Sequence, residues 1–328
     1  MSSDEEPEVD LLAGLRDGKW LDAQQFAPLD YHVPGLIPEG TVLMVGAPKI
    51  GKSWLVLGIG LGVAAGGYAF GKIKVAQRPV LYLALEDGDR RLQDRCRRLL
   101  GDGEHIPAAL CRIITVEPGM VLATIAKWME QHNGDAPLVI LDTLGKVMPP
   151  ALAGESSYQR DYRIGSALKR IVDAHPGMSL LTNHHDRKAA SEDFVDAVSG
   201  THGLAGAADT VIVVNRRRYE TTGILSVTGR DVVEGEYALR FDEGSVWRLD
   251  GDDLGAAAKA AAQYRATAGL GDRSAEILAF VATCAAGATA AEVEAALEMD
   301  DARRYLARLV AAQKLVRLKR GVYGTPPT

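Results

Sequence analysis

From residue 41 onward the chain alternates short, almost wholly apolar runs with longer amphipathic stretches. The runs cover residues 41–45, 80–85, 138–141, 178–181 and 210–214. A strand buried on both faces reads as a continuous apolar run, because neither face meets water, whereas a half-exposed strand alternates. Helix-length spacing between such runs implies βαβ units. The predicted fold class is therefore α/β, with a mostly parallel central sheet covered on both sides. Further along, residues 224–228, 237–241 and 246–249 are brief runs separated by glycine-containing turns, which predicts antiparallel hairpins at the sheet's edge.

The pattern changes again near residue 250. Residues 250–271 are rich in Ala, Gly and Asp with little apolar periodicity, and read as a partly helical linker. Residues 274–285 form an amphipathic helix, Thr289 and Glu292 have capping-box spacing for a second, and residues 301–313 make a third. Residues 315–323 alternate around Gly321 like a small hairpin. The expected organisation is an acidic tail and lead-in over residues 1–33, an α/β domain over 34–250, a linker over 251–272 and a winged-helix-like domain over 273–328.

Composition narrows the class without identifying the chemistry. At 328 residues, 47% hydrophobic and 24% charged, the chain is long enough for one sizeable core and a small appendage, and is neither disordered nor collagen-like. Cys96, Cys111 and Cys284 have no C-x-x-C spacing and are odd in number, so neither a disulfide framework nor a zinc site is expected. A cytoplasmic location follows as the expectation. Residues 1–10 are acidic and lack the apolar stretch of a secretory signal. Residues 53–71 carry no charge, but Gly58, Gly60, Gly62, Gly66 and Gly67 interrupt them directly after a phosphate-loop signature, so a buried helix is expected rather than a membrane span. A net charge of −6 argues against nonspecific coating of duplex DNA.

The most specific signal is Gly46-Ala47-Pro48-Lys49-Ile50-Gly51-Lys52-Ser53, which satisfies G-x-x-x-x-G-K-[ST] between a strand-like and a helix-like run. Glycines let backbone N–H groups turn inward around phosphate oxygens, and the following helix points its positive end at them. Lys52 would then reach the β and γ phosphates, and the Ser53 hydroxyl would serve Mg²⁺. With Trp54 at the start of that helix, residues 46–54 form the expected ATP-binding segment. Three further strand ends carry polar groups. Asp142 closes an aliphatic strand and can meet the Mg²⁺ water shell. Glu86, followed by Asp87, is the candidate base for the attacking water. Asn183-His184-His185-Asp186-Arg187-Lys188 follows the run at 178–181. Adjacent side chains on extended backbone point to opposite faces, so a polar sensor is expected there rather than a metal site.

Together these motifs resemble the RecA-like P-loop ATPase domain of the AAA family that includes the RepA-type hexameric replicative helicase of plasmids. The resemblance covers residues 34–249 and rests on GAPKIGKS, LALED, VILDTL and NHHDRK in order. It implies water activation by Glu86, Mg²⁺ coordination by Ser53 and Asp142, and γ-phosphate sensing by His184 or His185. It also implies a homo-oligomeric ring, a hexamer, in which each subunit donates an arginine to its neighbour's ATP. Arg230 in Thr228-Gly229-Arg230 is the expected finger, although Thr228 stands where relatives carry lysine; Arg216, Arg217 and Arg218 are alternatives. In such rings the loops after the Asp and sensor strands line the channel. The first, residues 146–163, carries Lys146, Arg160 and Arg163 with Tyr158 and Tyr162, a mixture suited to single-stranded DNA. The second, residues 188–200, is acidic through Glu192, Asp193 and Asp196. Arg303, Arg304, Arg308, Arg317, Lys319 and Arg320 give the C-terminal region a basic face for DNA. Two functions remain open: an ATP-hydrolysing DNA helicase or translocase of phage, plasmid or mobile-element replication, and a nucleotide-switched DNA-binding regulator or loader.

Overall fold

A computed structural model describes residues 12–185, 202–217, 219–267 and 272–326. At its centre lies a nine-stranded sheet. Its strands are β1 (Gly40–Gly46), β2 (Val80–Ala84), β3 (Leu110–Ile113), β4 (Leu138–Asp142), β5 (Ser179–His185), β6 (Thr210–Asn215), β7 (Thr222–Gly229), β8 (Gly235–Asp242) and β9 (Val246–Leu249). The spatial order is β9-β8-β7-β6-β1-β5-β4-β2-β3. From β6 to β3 every neighbouring pair is parallel. The last three strands close the other edge as an antiparallel meander. The fold is thus α/β with a mostly parallel sheet, as the apolar runs predict.

Continuous apolar strands are explained by burial on both faces. Val42 and Met44 of β1 join one core cluster, while Leu43 and Val45 join the other. Helices α1 (Lys52–Ala65) and α2 (Asp89–Leu100) supply Leu55, Val56, Leu92 and Cys96 to the first. Helices α3 (Val121–Gln131), α4 (Ser157–Asp173) and α5 (His202–Ala207) supply Ile125, Leu168 and Leu204 to the second. The uncharged stretch at 53–71 becomes α1 and the start of the hairpin formed by Tyr68–Ala69 and Ile73–Lys74. Among the described residues no helix is long and apolar enough to cross a membrane. Gly62 lets α1 touch that hairpin, since a Cβ there would lie 2.6 Å from the Tyr68 carbonyl oxygen.

Three elements differ from the sequence expectation. No apolar run announces β3, because it is an edge strand with Cys111 and Arg112 exposed. Strand β5 extends to His185 rather than ending at residue 181, so both histidines belong to the strand. The segment expected as a linker contains helix α6 (Leu254–Thr267), which packs on β8 and buries Ala257 and Ala261 at 0% and 1% exposure. Alanines four apart make a small apolar stripe that composition alone conceals.

Beyond it, α7 (Asp272–Thr283), α8 (Ala290–Ala296) and α9 (Ala302–Ala311) pack around Ile277, Val293 and Leu306. The Thr289–Glu292 capping box forms in full at the start of α8. Short strands β10 (Ala288–Thr289), β11 (Val316–Lys319) and β12 (Val322–Gly324) complete this unit in the order β10-β12-β11, all antiparallel.

The lead-in to the sheet is also buried. Tyr31–Val33 and Ile37–Pro38 pair antiparallel, and they enclose His32 completely. His32 Nε2 lies 2.9 Å from the Ala136 carbonyl oxygen, and its Nδ1 lies 2.8 Å from Ser179 Oγ. Burial first, then the Arg78 charge, lower its pKa to about 4. An unfolded histidine titrates near its ordinary value, so below that pH the unfolded chain takes up a proton that the fold refuses, and stability falls as pH drops. Between pH 7.5 and pH 5 this linkage removes about 2 kcal/mol. Denaturant titrations at the two pH values should show that extra loss in the native chain and not in His32→Gln; equal losses in both would contradict it.

Candidate functional site

The loop from Gly46 to Gly51 leaves the C-terminal end of β1 and turns into α1. Its backbone is held in a compact crown, with Lys49 at φ 67° and Gly51 at φ 102°. A Cβ on Gly46 would sit 2.5 Å from the Val214 carbonyl oxygen, so this position accepts only glycine. The loop is also gripped from behind by the late meander. Trp247 Nε1 donates to the Gly51 carbonyl at 3.0 Å, and Arg216 Nε donates to the Ile50 carbonyl at 3.3 Å. Lys52, 3% exposed, turns back into the crown, donating to the carbonyls of Gly46 at 2.6 Å and Ala47 at 2.9 Å. A cleft of about 220 Å³ opens over it, lined by Ser53, Trp54, Arg95, His185 and Phe241. Inward-turned backbone, a helix start and cationic side chains make a fitting receptacle for a polyphosphate.

Asp142 closes β4 and is 4% exposed. Its Oδ1 accepts from Asn183 Nδ2 at 2.6 Å and from Ser53 Oγ at 3.3 Å, and its Oδ2 accepts from the Tyr82 hydroxyl at 2.6 Å. Burial first, then the Asp142 charge, push the Tyr82 hydroxyl well above the usual phenol range, so it remains a donor. Hard oxygen ligands from one hydroxyl and one carboxylate suit Mg²⁺, which takes its remaining ligands from water and phosphate. Among the described residues no group of three or more His, Cys, Asp or Glu could hold a metal alone.

Glu86 lies just beyond β2, which two strands, β5 and β4, separate from the phosphate-loop strand. Strand β2 adjoins the Asp142 strand. Thr143 Oγ1 donates to Glu86 Oε1 at 3.1 Å, which ties the carboxylate to the residue after Asp142. Asp87 is occupied by ion pairs with Arg91 and Arg95.

His185 brings the two halves of the site together. Its Nδ1 lies 3.0 Å from Lys52 Nζ. Desolvation first, then the Lys52 charge, lower its pKa, while Glu86 and Asp142 act in the opposite sense. The charges of Lys52, Glu86 and Asp142 thus all act on this one ring. Alternation along β5 aims His184 elsewhere, and it is partly buried. Asp186, Arg187, Lys188 and residues 188–200 lie outside the described residues, as does Arg218.

The arginines separate sharply. Arg216 lies over Phe241 with its guanidinium carbon 4.4 Å from the ring centroid, and donates to the Glu220 carbonyl at 2.7 Å as well as to the loop. It is a brace for its own chain's loop, a role that the sequence did not suggest. Arg217 is exposed beside Glu220. Arg230, 61% exposed, sits at the opposite end of the sheet, where it pairs with Asp209 at 3.2 Å. Asp209 is bonded to Thr41, and Gly46 lies five residues further along β1, about 17 Å at roughly 3.3 Å per residue. Arg230 is thus out of reach of its own phosphate loop.

Residues expected in the first channel loop fall largely on the opening turns of α4, which a Ser156–Gln159 capping box starts. Tyr158 and Tyr162 are exposed and nearly parallel, with centroids 6.2 Å apart. Arg163 is engaged by Glu155 at 2.7 and 2.9 Å. In the C-terminal unit, Arg303, Arg304 and Arg308 are exposed on α9, and Arg317, Lys319 and Arg320 are exposed on and beside β11.

An AAA domain family, AAA_25, matches residues 5–191, more than half of the chain. The chain belongs to this AAA domain family. The fold of this AAA protein is similar to that of the ATPase domain of G40P, at 14% identity and a TM-score of 0.50, covering 65% of this chain and 85% of that one. It is also similar to a DnaB-like replicative helicase, whose structure was solved with its interactions with primase, at 15% identity and a TM-score of 0.50, covering 64% of this chain and 57% of that one. These likenesses make the fold of the AAA protein RecA-like. No curated protein matches it.

Proposed function

We propose that this AAA protein is an ATP-hydrolysing motor that acts on single-stranded DNA as a ring oligomer, a hexamer, in the replication of a phage, plasmid or mobile element. The observation that carries the reading is the division of the machinery. Lys52, Ser53, Asp142, Glu86 and His185 converge at one end of the sheet, whereas the exposed Arg230 stands at the other. A site so divided is completed by a second copy. Within it, residues 46–54 hold the nucleotide, and Lys52 neutralises the β and γ phosphates. Ser53 and Asp142 hold Mg²⁺, which when bound draws charge from the phosphate oxygens. Tyr82 and Asn183 fix Asp142 in the orientation this requires. Glu86, steadied by Thr143, takes the proton of the attacking water; the water oxygen bonds to the γ phosphorus and ADP leaves.

His185, in contact with Lys52, is the group that registers the γ phosphate, with His184 on the opposite face of the strand. Tyr158 and Tyr162, with Lys146 and Arg160, offer stacking and charge to a single strand, and the basic face of the winged-helix-like C-terminal unit adds a second DNA contact. The test is ATP turnover with and without single-stranded DNA, followed by strand displacement on a forked duplex. Turnover should rise at least about tenfold with DNA and fall steeply with salt. DNA-indifferent, slow turnover would replace the motor by a nucleotide-switched loader or regulator.

A further inference from the structure

Arg230 is held on the surface by its neighbours. Its backbone N–H donates to the Asp209 carbonyl at 3.0 Å, and its Nη1 donates to Asp209 Oδ1 at 3.2 Å. Its remaining guanidinium N–H groups make no hydrogen bond among the described residues. On the other side, Tyr31 donates its hydroxyl to the Asp231 carbonyl at 2.7 Å and so pins the adjoining backbone.

The carboxylate that Arg230 touches is itself fixed. Asp209 Oδ2 accepts from the Thr41 N–H at 3.0 Å and from the Thr41 hydroxyl at 2.8 Å. Lys169 Nζ, reaching over from α4, spans both oxygens at 2.8 and 3.0 Å. Glycines give it room: a Cβ on Gly40 would lie 3.0 Å from Oδ2, and one on Gly229 would lie 2.6 Å from the Asp209 carbonyl oxygen. Burial alone would raise the pKa of Asp209, but the bonds from Lys169 and Thr41 outweigh it and hold the carboxyl below its usual range. The side chain is a fixed anion.

Charge then decides what this anion does to Arg230. Paired with Asp209 alone, Arg230 would be neutralised, and a phosphate would have to displace the carboxylate. Lys169 supplies a second cation to the same carboxylate, so these three side chains keep one net positive charge at the surface. Lys169 also meets Asp173 at 3.0 Å, but that side chain is more than half exposed and is screened by water. A long arginine already anchored at one nitrogen loses less rotamer freedom on engaging a ligand, and its free donors are aimed before the ligand arrives.

We infer that Asp209, braced by Lys169 and Thr41, is a positioning residue that aims Arg230 at the nucleotide of a neighbouring copy. The inference rests on the proposed trans role of Arg230. The alternative is a structural lock joining β1 to β6, with no bearing on turnover.

Mixing separates them. Lys52→Ala chains keep Arg230 but have a disabled site; Arg230→Ala chains keep the site but offer no arginine. Turnover should reappear when full-length chains of both kinds are mixed. With Lys52→Ala/Asp209→Asn as the donor, the complemented rate should fall by about 10- to 100-fold, while the KM for ATP stays unchanged because the hydrolysing site is unaltered. The donor Lys52→Ala/Lys169→Met should lower the rate likewise, and Lys52→Ala/Lys169→Arg should restore it.

Native mass spectrometry of the same mixtures reports assembly. A donor carrying Asp209→Asn that assembles and complements as well as Lys52→Ala overturns the positioning role and leaves the trans reading intact. Should that donor fail to assemble, the two Lys169 variants decide: equal rates overturn the inference, and loss with methionine but not arginine upholds it. If Lys52→Ala and Arg230→Ala chains co-assemble without recovering turnover, the trans reading itself falls.

Discussion

Arg230→Ala protein should bind Mg–ATP as tightly as the native chain yet turn it over at least about 1,000-fold more slowly. Binding survives because Arg230 lies at the far end of the sheet from its own phosphate loop and touches nothing there. Turnover fails because a cation that meets the transferring phosphoryl group stabilises charge that develops only in the transition state. Steady-state hydrolysis beside equilibrium binding checks both halves. Arg217→Ala, which alters only an exposed arginine at a loose ion pair, should leave both unchanged. Normal hydrolysis by assembled Arg230→Ala protein would transfer the role elsewhere.

The parts of the molecule that were legible in the sequence are those whose cause is local. Apolar runs at residues 41–45 and 138–141 report burial on both sheet faces, and the phosphate-loop spacing reports a backbone that must curl, so β1, β4 and the Gly46–Gly51 crown follow directly. What stayed hidden depends on residues distant in the chain. Tyr82 looks like one more core aromatic until β2 and β4 pair and its hydroxyl meets Asp142. Arg216 reads as one of three alternative fingers until Phe241 slides beneath it. Asp209 stands just before an ordinary strand, and only the return of β7 and the approach of α4 bring Arg230 and Lys169 to its carboxylate. Helix α6 was obscured for a different reason, since alanine contributes so little apolar surface that its buried stripe resembles linker composition.

The phosphate cradle itself is tested by the second large effect. Lys52 is buried, bonded to two carbonyls of the loop and in contact with His185, so its ammonium is fixed where the β and γ phosphates would lie. Removing it deletes a desolvated charge opposite a polyanion, and it leaves the loop carbonyls of Gly46 and Ala47 without that donor, so the loss in affinity should reach at least about 100-fold. His32→Gln, far from the cradle, should bind normally. Equilibrium titration of a fluorescent ATP analogue, with and without Mg²⁺, against native and Lys52→Ala protein is the decisive measurement. Mg²⁺-dependent binding by the native chain that collapses in Lys52→Ala is the expected result; equal binding by the two chains, or none by either, would contradict a triphosphate site where β1 meets α1.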